Sequence, residues 1–273
     1  MIRTLLTLML ALSGWLGAHA HPSDPTEATY LGNEGVMISD GETTILFDPL
    51  FPNGFGIYQL VPEPMRQALM AGDAPYDDVD AIFISHMHPD HFSAGEVVSY
   101  LEQHAEVRLY APDQAVAAMR EEADNEAIFD RVTGVALQRL DAPKRYSEGD
   151  LEIDVVRIPH AGWPGRADVS NLVWRVSLAN GATVMHLGDA DPDEAHYRPH
   201  AEHWQSVRTD AAYPPYWFFL SDAGRTLVDS ILNTTTATGI HVPLDLPADL
   251  FVTGRDFFHT PGETRIMKPV PDQ

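Results

Sequence analysis

Cysteine is absent from the 273 residues. That excludes a disulfide framework and a thiolate ligand, so any transition metal must be held by imidazole or carboxylate. It also excludes a lipid-modified cysteine at a processed N-terminus. Lysine is almost absent, with only Lys144 and Lys268. Lysine and arginine together number 17 against 40 acidic residues, for a formal net charge of −23. A field of that sign repels phosphate backbones, which makes nucleic acid a poor partner, while it favours solubility and draws cations. The same surface suits a saline setting. Long apolar runs are missing as well: the longest, Leu5 to Leu16, falls short of the ~20 residues needed to cross a bilayer. No internal repeat, low-complexity tract or polar linker divides the chain.

The N-terminus reads as a secretory leader. Arg3 supplies a positive first region, Leu5 to Leu16 an apolar one, and Ala18-His19-Ala20 a small-x-small cleavage site. Cleavage after Ala20 is expected, which would place the protein in the periplasm or outside the cell with His21 first. Residues 21–273 then suffice for one α/β domain of about 250 residues with a substantial core.

The most informative stretch is Ala81-Ile82-Phe83-Ile84-Ser85-His86-Met87-His88-Pro89-Asp90-His91. Its apolar start, with no polar alternation, predicts a buried strand, and Pro89 marks the loop that leaves it. His86, His88, Asp90 and His91 are thereby crowded at a strand tip, where sheet proteins place ligands. Imidazole and carboxylate are the usual ligands of zinc and related metals. A polar surface loop would rarely gather three histidines in six residues.

Upstream, Ala28–Leu31, Val36–Ser39 and Thr43–Phe47 predict strands joined by Gly32–Gly35 and Asp40-Gly41 turns. Leu50–Tyr76, rich in proline and glycine, reads as an irregular loop over the active face. Downstream, Ser93 followed by Glu96 predicts a capped helix to His104, and Pro112 opens another to Glu122. Val107–Tyr110, Val135–Leu140 and Leu151–Ile158 predict strands, the last delivering His160. Asn171–Ser177 and Thr183–Leu187 predict a strand pair that ends at Gly188-Asp189, with His186 on the opposite face. Asp191–Trp204 predicts a helix carrying His196, His200 and His203 on one face, a packed stripe or an accessory metal site. Trp217–Leu220 reads as a buried strand, and Thr238–Pro243 as another that delivers His241. His259 is an alternative to it. Alternating strands and helices support a layered α/β sheet.

The His-x-His-x-Asp-His motif after a buried strand, with histidine or aspartate at three later strand ends, resembles the metallo-β-lactamase-fold metallohydrolase superfamily, most closely its ascorbate-lactonase-like branch. The resemblance implies a four-layer αββα sandwich. It also implies two divalent metal ions, zinc first, with manganese or iron served by the same ligands. His86, His88 and His160 would hold one, and Asp90, His91 and His241 the other, with Asp189 bridging. Asp90 would also orient the nucleophile, a hydroxide formed between the metals at neutral pH. Asp48, in Leu-Phe-Asp-Pro, would support the centre or simply initiate a turn. Tyr58, Tyr213 and Tyr216 are candidates for the leaving-group acid. The expected activity is hydrolysis of a small ester, lactone or amide. Phosphodiester hydrolysis, an iron-dependent oxidation and metal binding without turnover are the alternatives. The expected partner is a small-molecule substrate, with neither nucleic acid nor membrane once the leader is cut, and the oligomeric state is open.

Overall fold

The computed structural model describes residues 25–267, so the expected leader and the N-terminus at His21 lie outside the described residues. Strands β1 (Glu27–Gly32), β2 (Gly35–Ser39) and β3 (Thr44–Phe47) form an antiparallel meander. To it are added, in parallel, β4 (Ala81–Phe83), β5 (Arg108–Pro112) and β6 (Val132–Val135). The second sheet repeats the scheme. β7 (Lys144–Glu148), β8 (Leu151–Arg157), β9 (Leu172–Ser177) and β10 (Thr183–His186) are antiparallel, and β11 (Thr209–Tyr213), β12 (Thr234–Gly239) and β13 (Asp256–Phe257) continue in parallel. β14 (Thr264–Ile266) returns to the first sheet beside β1, giving two sheets of seven strands.

Three apolar layers hold these sheets. Between them lie Tyr30, Phe47, Phe83, Trp174 and Val184, all fully buried. The outer face of the first sheet is covered by α1 (Glu63–Ala71), α2 (Ala94–Gln103) and α3 (Asp113–Glu122). Val97, Val98 and Leu101 of α2 are buried there, each contributing about 1.5–3 kcal/mol. The second sheet is covered by α4 (Ala201–Ser206), α5 (Trp217–Leu220), α6 (Asp222–Thr226) and α7 (Ala248–Val252), through Trp204, Phe218, Phe219 and Leu250. This is the four-layer αββα sandwich.

Four local expectations are corrected. Leu50–Tyr76 is not wholly irregular, because it contains α1: Pro64 sits in the first turn, and Gly72, left-handed at φ 66°, closes it. The residues that suggested a loop are this helix's own punctuation. Val135 ends β6 rather than opening a strand to Leu140. Asp191–Trp204 is two 3-10 turns, Glu194–His196 and Arg198–His200, followed by α4, because Pro199 cannot donate to a continuous helix. Trp217–Leu220 is a helical turn, since four apolar residues cannot distinguish the two periods. The Ser93 cap is present, with its side chain accepting the Glu96 amide.

Because β1 runs parallel to β3 and β4, and β8 parallel to β10, β11 and β12, the C-terminal ends of these strands open on one edge. The sheets are stitched there: Leu172 N donates to Ser85 O at 2.9 Å, and Trp174 Nε1 to Ile84 O at 2.9 Å.

Candidate metal centre

At that edge β4 delivers His86, His88, Asp90 and His91, β8 delivers His160, β10 Asp189, and β12 His241. All seven are buried except His88, which is partly open. They fall into two clusters on either side of the Asp189 carboxyl. Oδ2 lies 3.1 Å from His160 Nε2 and 4.0 Å from His86 Nε2. His88 Nδ1 completes that cluster, 3.0 Å from His86 Nε2 and 3.1 Å from His160 Nε2. Oδ1 lies 3.0 Å from His241 Nε2 and 3.4 Å from His91 Nε2. Asp90 Oδ2 closes the second cluster at 3.6 Å from His241 Nε2 and 3.8 Å from His91 Nε2.

These spacings suit a cation better than they suit one another. Tetrahedral ligands at about 2.0–2.1 Å from zinc stand about 3.3 Å apart. Asp189 Oδ1, buried and close to two ring nitrogens, hydrogen-bonds to neither. The nitrogens that converge are also the ones left with lone pairs. His91 Nδ1 donates to Asp48 Oδ2 at 2.9 Å, and His160 Nδ1 donates to Ala161 O at 2.8 Å, so that in the neutral form of each ring Nε2 is the acceptor. Ser85 Oγ gives its proton to Asp48 Oδ2 at 2.5 Å, so the 3.0 Å contact with His86 Nδ1 is a donation by the ring. Asp48 therefore orients His91 directly and His86 through Ser85.

Electrostatics point the same way. Burial, aided by His91, holds His86 well below the usual imidazole range, and burial with His160 lowers His88, so both rings are neutral, the form a metal requires. Burial pushes the Asp189 carboxyl up, but His241, His91 and His160 together bring it well below its usual range. His91 is the exception: burial would lower it, yet Asp189, Asp48 and Glu34 raise it well above normal. A proton there supplies the positive charge that a bound cation would replace.

Several residues of the centre carried no sequence signal. Asn171, fully buried, donates to Leu187 O at 3.1 Å and accepts the Asp189 amide at 3.0 Å, which fixes the backbone at Asp189. Glu34 is fully buried with both oxygens unpartnered, 3.7 Å from His91 Nδ1 and 3.6 Å from His186 Nε2. Burial first, then Asp189, Asp48 and Asp90, raise its carboxyl well above the ordinary range. His186 donates to Glu34 O at 3.0 Å and accepts the Gly188 amide, so both its nitrogens are engaged away from the centre. Only the turn glycines around Glu34 hinted at its place.

Other candidates separate clearly. Tyr58 lines the cleft over the centre, its ring edge-on to His241 at 4.0 Å between centroids. Tyr213 is packed in the core beside Phe258, and Tyr216 against Trp217. Among the described residues no metal-ligand cluster includes His196, His200, His203 or His259. His200 and His203 instead border a separate hollow of about 570 Å³ opposite Leu140. The cleft itself, about 300 Å³, is bounded by Phe55, Ile57 and Tyr58 on one side and Arg166 on the other.

Residues 27–203 match a family model described as Beta-lactamase superfamily domain. A protein of Mycolicibacterium smegmatis named as a Rieske 2Fe-2S iron-sulfur protein is 28% identical over 169 residues, 61% of this chain and 30% of that relative's length. The chain thus spans about a third of that relative. Among solved structures, the metallo-beta-lactamase fold protein YhfI of Bacillus subtilis superposes with a TM-score of 0.58 at 16% identity, covering 89% of this chain and 99% of that one. A chain of Veillonella parvula described as a possible metal-dependent hydrolase gives 0.59 at 14% identity, over 89% and 99%. At such identities the structural likeness speaks for the fold.

Proposed function

The chain belongs to the β-lactamase superfamily whose domain its residues 27–203 match, and on that premise we propose that it is a dinuclear-metal-dependent hydrolase of small esters, lactones or amides. The observation that carries this reading is the Asp189 carboxyl, whose two oxygens face two separate clusters of histidine and aspartate. His86, His88 and His160 would hold one ion, and Asp90, His91 and His241 the other. When bound, such a pair polarises a carbonyl oxygen and lowers the pKa of water towards ~7. Zinc is the first expectation for a nitrogen-rich set, with manganese or iron compatible.

The chain's own groups do the rest. Asp90, at the cleft side of the second cluster, orients the attacking water and accepts its proton. Asp48 and Ser85 hold the His91 and His86 rings with their lone pairs inward. The Tyr58 phenol, kept protonated because burial and then Asp189 raise it above its usual range, stands where it can return a proton to the leaving alcohol or amine. Water's oxygen ends on the acyl carbon, the C–O or C–N bond breaks, and the proton leaves with the departing group. The leader read from residues 1–20 supports export, which N-terminal sequencing of the exported chain would test.

The full chain, loaded separately with zinc, manganese or iron and analysed for metal content, is to be assayed on lactones, p-nitrophenyl esters and phosphodiesters. Ester or lactone hydrolysis that disappears in His88→Ala and on chelation is expected. Activity that survives complete metal removal would overturn the mechanism, and a phosphodiester-only profile would overturn the substrate class.

A further inference from the structure

We propose that the cleft selects amphipathic carbonyl substrates, with an apolar body on the Phe55–Leu60 wall and an anionic group, carboxylate or sulfonate, on Arg166. The inference rests on the hydrolase reading above and adds the substrate class to it. Two walls of opposite character carry it.

Of the ten large apolar side chains left exposed among the described residues, two, Phe55 and Ile57, line this cleft, and three more sit on segments that adjoin it. Phe55, Ile57 and Leu60 come from the loop after β3, and Met87 from the metal loop itself. Leu244 is tied to that loop by its amide, which donates to Ile57 O at 2.7 Å. An exposed apolar patch rimmed by polar groups marks a ligand groove more often than an idle surface. The loop is held in place, since Tyr58 bridges to Pro243 and its ring meets His241. This wall therefore stands beside the second ligand cluster.

Arg166 stands beside the first. Its Nη1 approaches His160 Nε2 at 3.4 Å, and among the described residues it is the only arginine or lysine lining the cleft. In a chain with 40 acidic residues nearly every cation among the described residues is engaged. Ten arginines of the described residues pair with carboxylates, Arg131 and Arg157 donate to main-chain oxygens, and Arg139 covers the Trp163 ring. Arg166 does none of these. A cation at the centre would use the lone pair that now faces it and repel the guanidinium, leaving its donors to the cleft. A planar guanidinium is suited to an oxyanion. A carbonyl lying at Asp90 and Asp189 would then have its apolar arm on one side and its anionic arm on the other.

Two paired comparisons test this on the metal-loaded full chain. Calorimetric titration with decanesulfonate and with its uncharged relative, decyl methyl sulfone, reads binding without turnover. Hydrolysis of O-hexanoyl glycolate against O-hexanoyl glycolamide reads the same preference in KM. A preference of about tenfold for the anion is expected in both, because a charge-assisted pair in a partly closed cleft is worth that much. In Arg166→Gln the ratio should fall towards one, and Arg166→Lys should keep part of it. Equal binding of the two probes overturns the inference, as does a preference that Arg166→Gln retains. Esters cleaved without regard to charge would sink the inference and spare the hydrolase reading. Anion preference without cleavage of any ester would do the reverse.

Discussion

Asn33 reaches the metal loop directly: its Nδ2 donates to the main-chain oxygen of Asp90 at 2.8 Å, across 57 residues of sequence. Its own carbonyl accepts the His241 amide at 3.0 Å. One turn residue thus holds two members of the second ligand cluster in mutual register. Asn33→Ala should cost about 1–3 kcal/mol by stranding the buried Asp90 carbonyl. It should also weaken binding of the second ion by about tenfold or more, as loss of an orienting partner does. Urea unfolding and chelator competition check the two effects, and an unchanged second affinity would show that the turn merely abuts the site.

Gly188 makes a steric prediction. Its φ is +54°, and a Cβ placed there would lie 2.5 Å from Asn171 Oδ1 and 2.6 Å from Ser85 Cβ. Both neighbours are fully buried and already committed to the centre. Gly188→Ala should therefore displace Asp189 and cost more than the ~1–2 kcal/mol of left-handed strain alone. Gly181→Ala is the control, because its φ is +84° but nothing lies within 4 Å of the added carbon. Equal losses in the two variants would refute a steric role for Gly188.

The contrast between these residues and the histidines shows what the sequence could convey. His86, His88, Asp90 and His91 are legible because they are adjacent and follow an apolar run. His160, Asp189 and His241 are legible only as strand-end residues in the order of the resembled family's ligands, yet the fold brings all seven to one edge. Asn33, Glu34, Ser85 and Asn171 act through contacts with no local pattern: Glu34 and His186 are 152 residues apart. A Gly-Asn-Glu-Gly turn looks like surface, and only the packing of the second sheet over it shows the carboxyl to be buried. The broken helix around Pro199 and the helical turn at Trp217 failed for a different reason. Composition there is compatible with more than one local structure, and short segments yield to tertiary packing.

A pH dependence follows from His203. Burial, then the neighbouring Arg175, push its imidazole down to about 4. Arg175 itself is buried and bound to Asp154 Oδ2 at 2.9 Å, so it cannot move away from a second charge. The unfolded chain binds a proton near pH 6.5 and the folded one only near 4, so stability is full above 6.5 and falls as pH drops through that window. His196 and His200, both lowered by burial, add to the same slope. Because the His203 ring is partly exposed, its share is discounted to about 1 kcal/mol between pH 7 and 5. His203→Gln should flatten the urea-midpoint profile by that amount, and an unaltered acid slope would show that the ring titrates freely.

Glu34 sets stability against metal binding. Its carboxyl is fully buried, neither oxygen has a partner, and Asp48, Asp90 and Asp189 are its anionic neighbours. Of the described residues only the His91 ring, 3.7 Å away, offsets an ionised Glu34 against these three carboxylates, and divalent cations would complete the compensation. Its replacement by the neutral isostere in Glu34→Gln should raise the stability of the metal-free protein, by about 1–3 kcal/mol for an incompletely compensated buried group. The same change removes one of four carboxylates that attract the ions, so their affinity should fall by about tenfold or more. Thermal melts of the stripped chain and chelator competition on the loaded one must therefore move in opposite directions. A glutamate that only filled space would leave the affinity where it was, and one that stabilised the empty fold would lower the melting temperature when replaced.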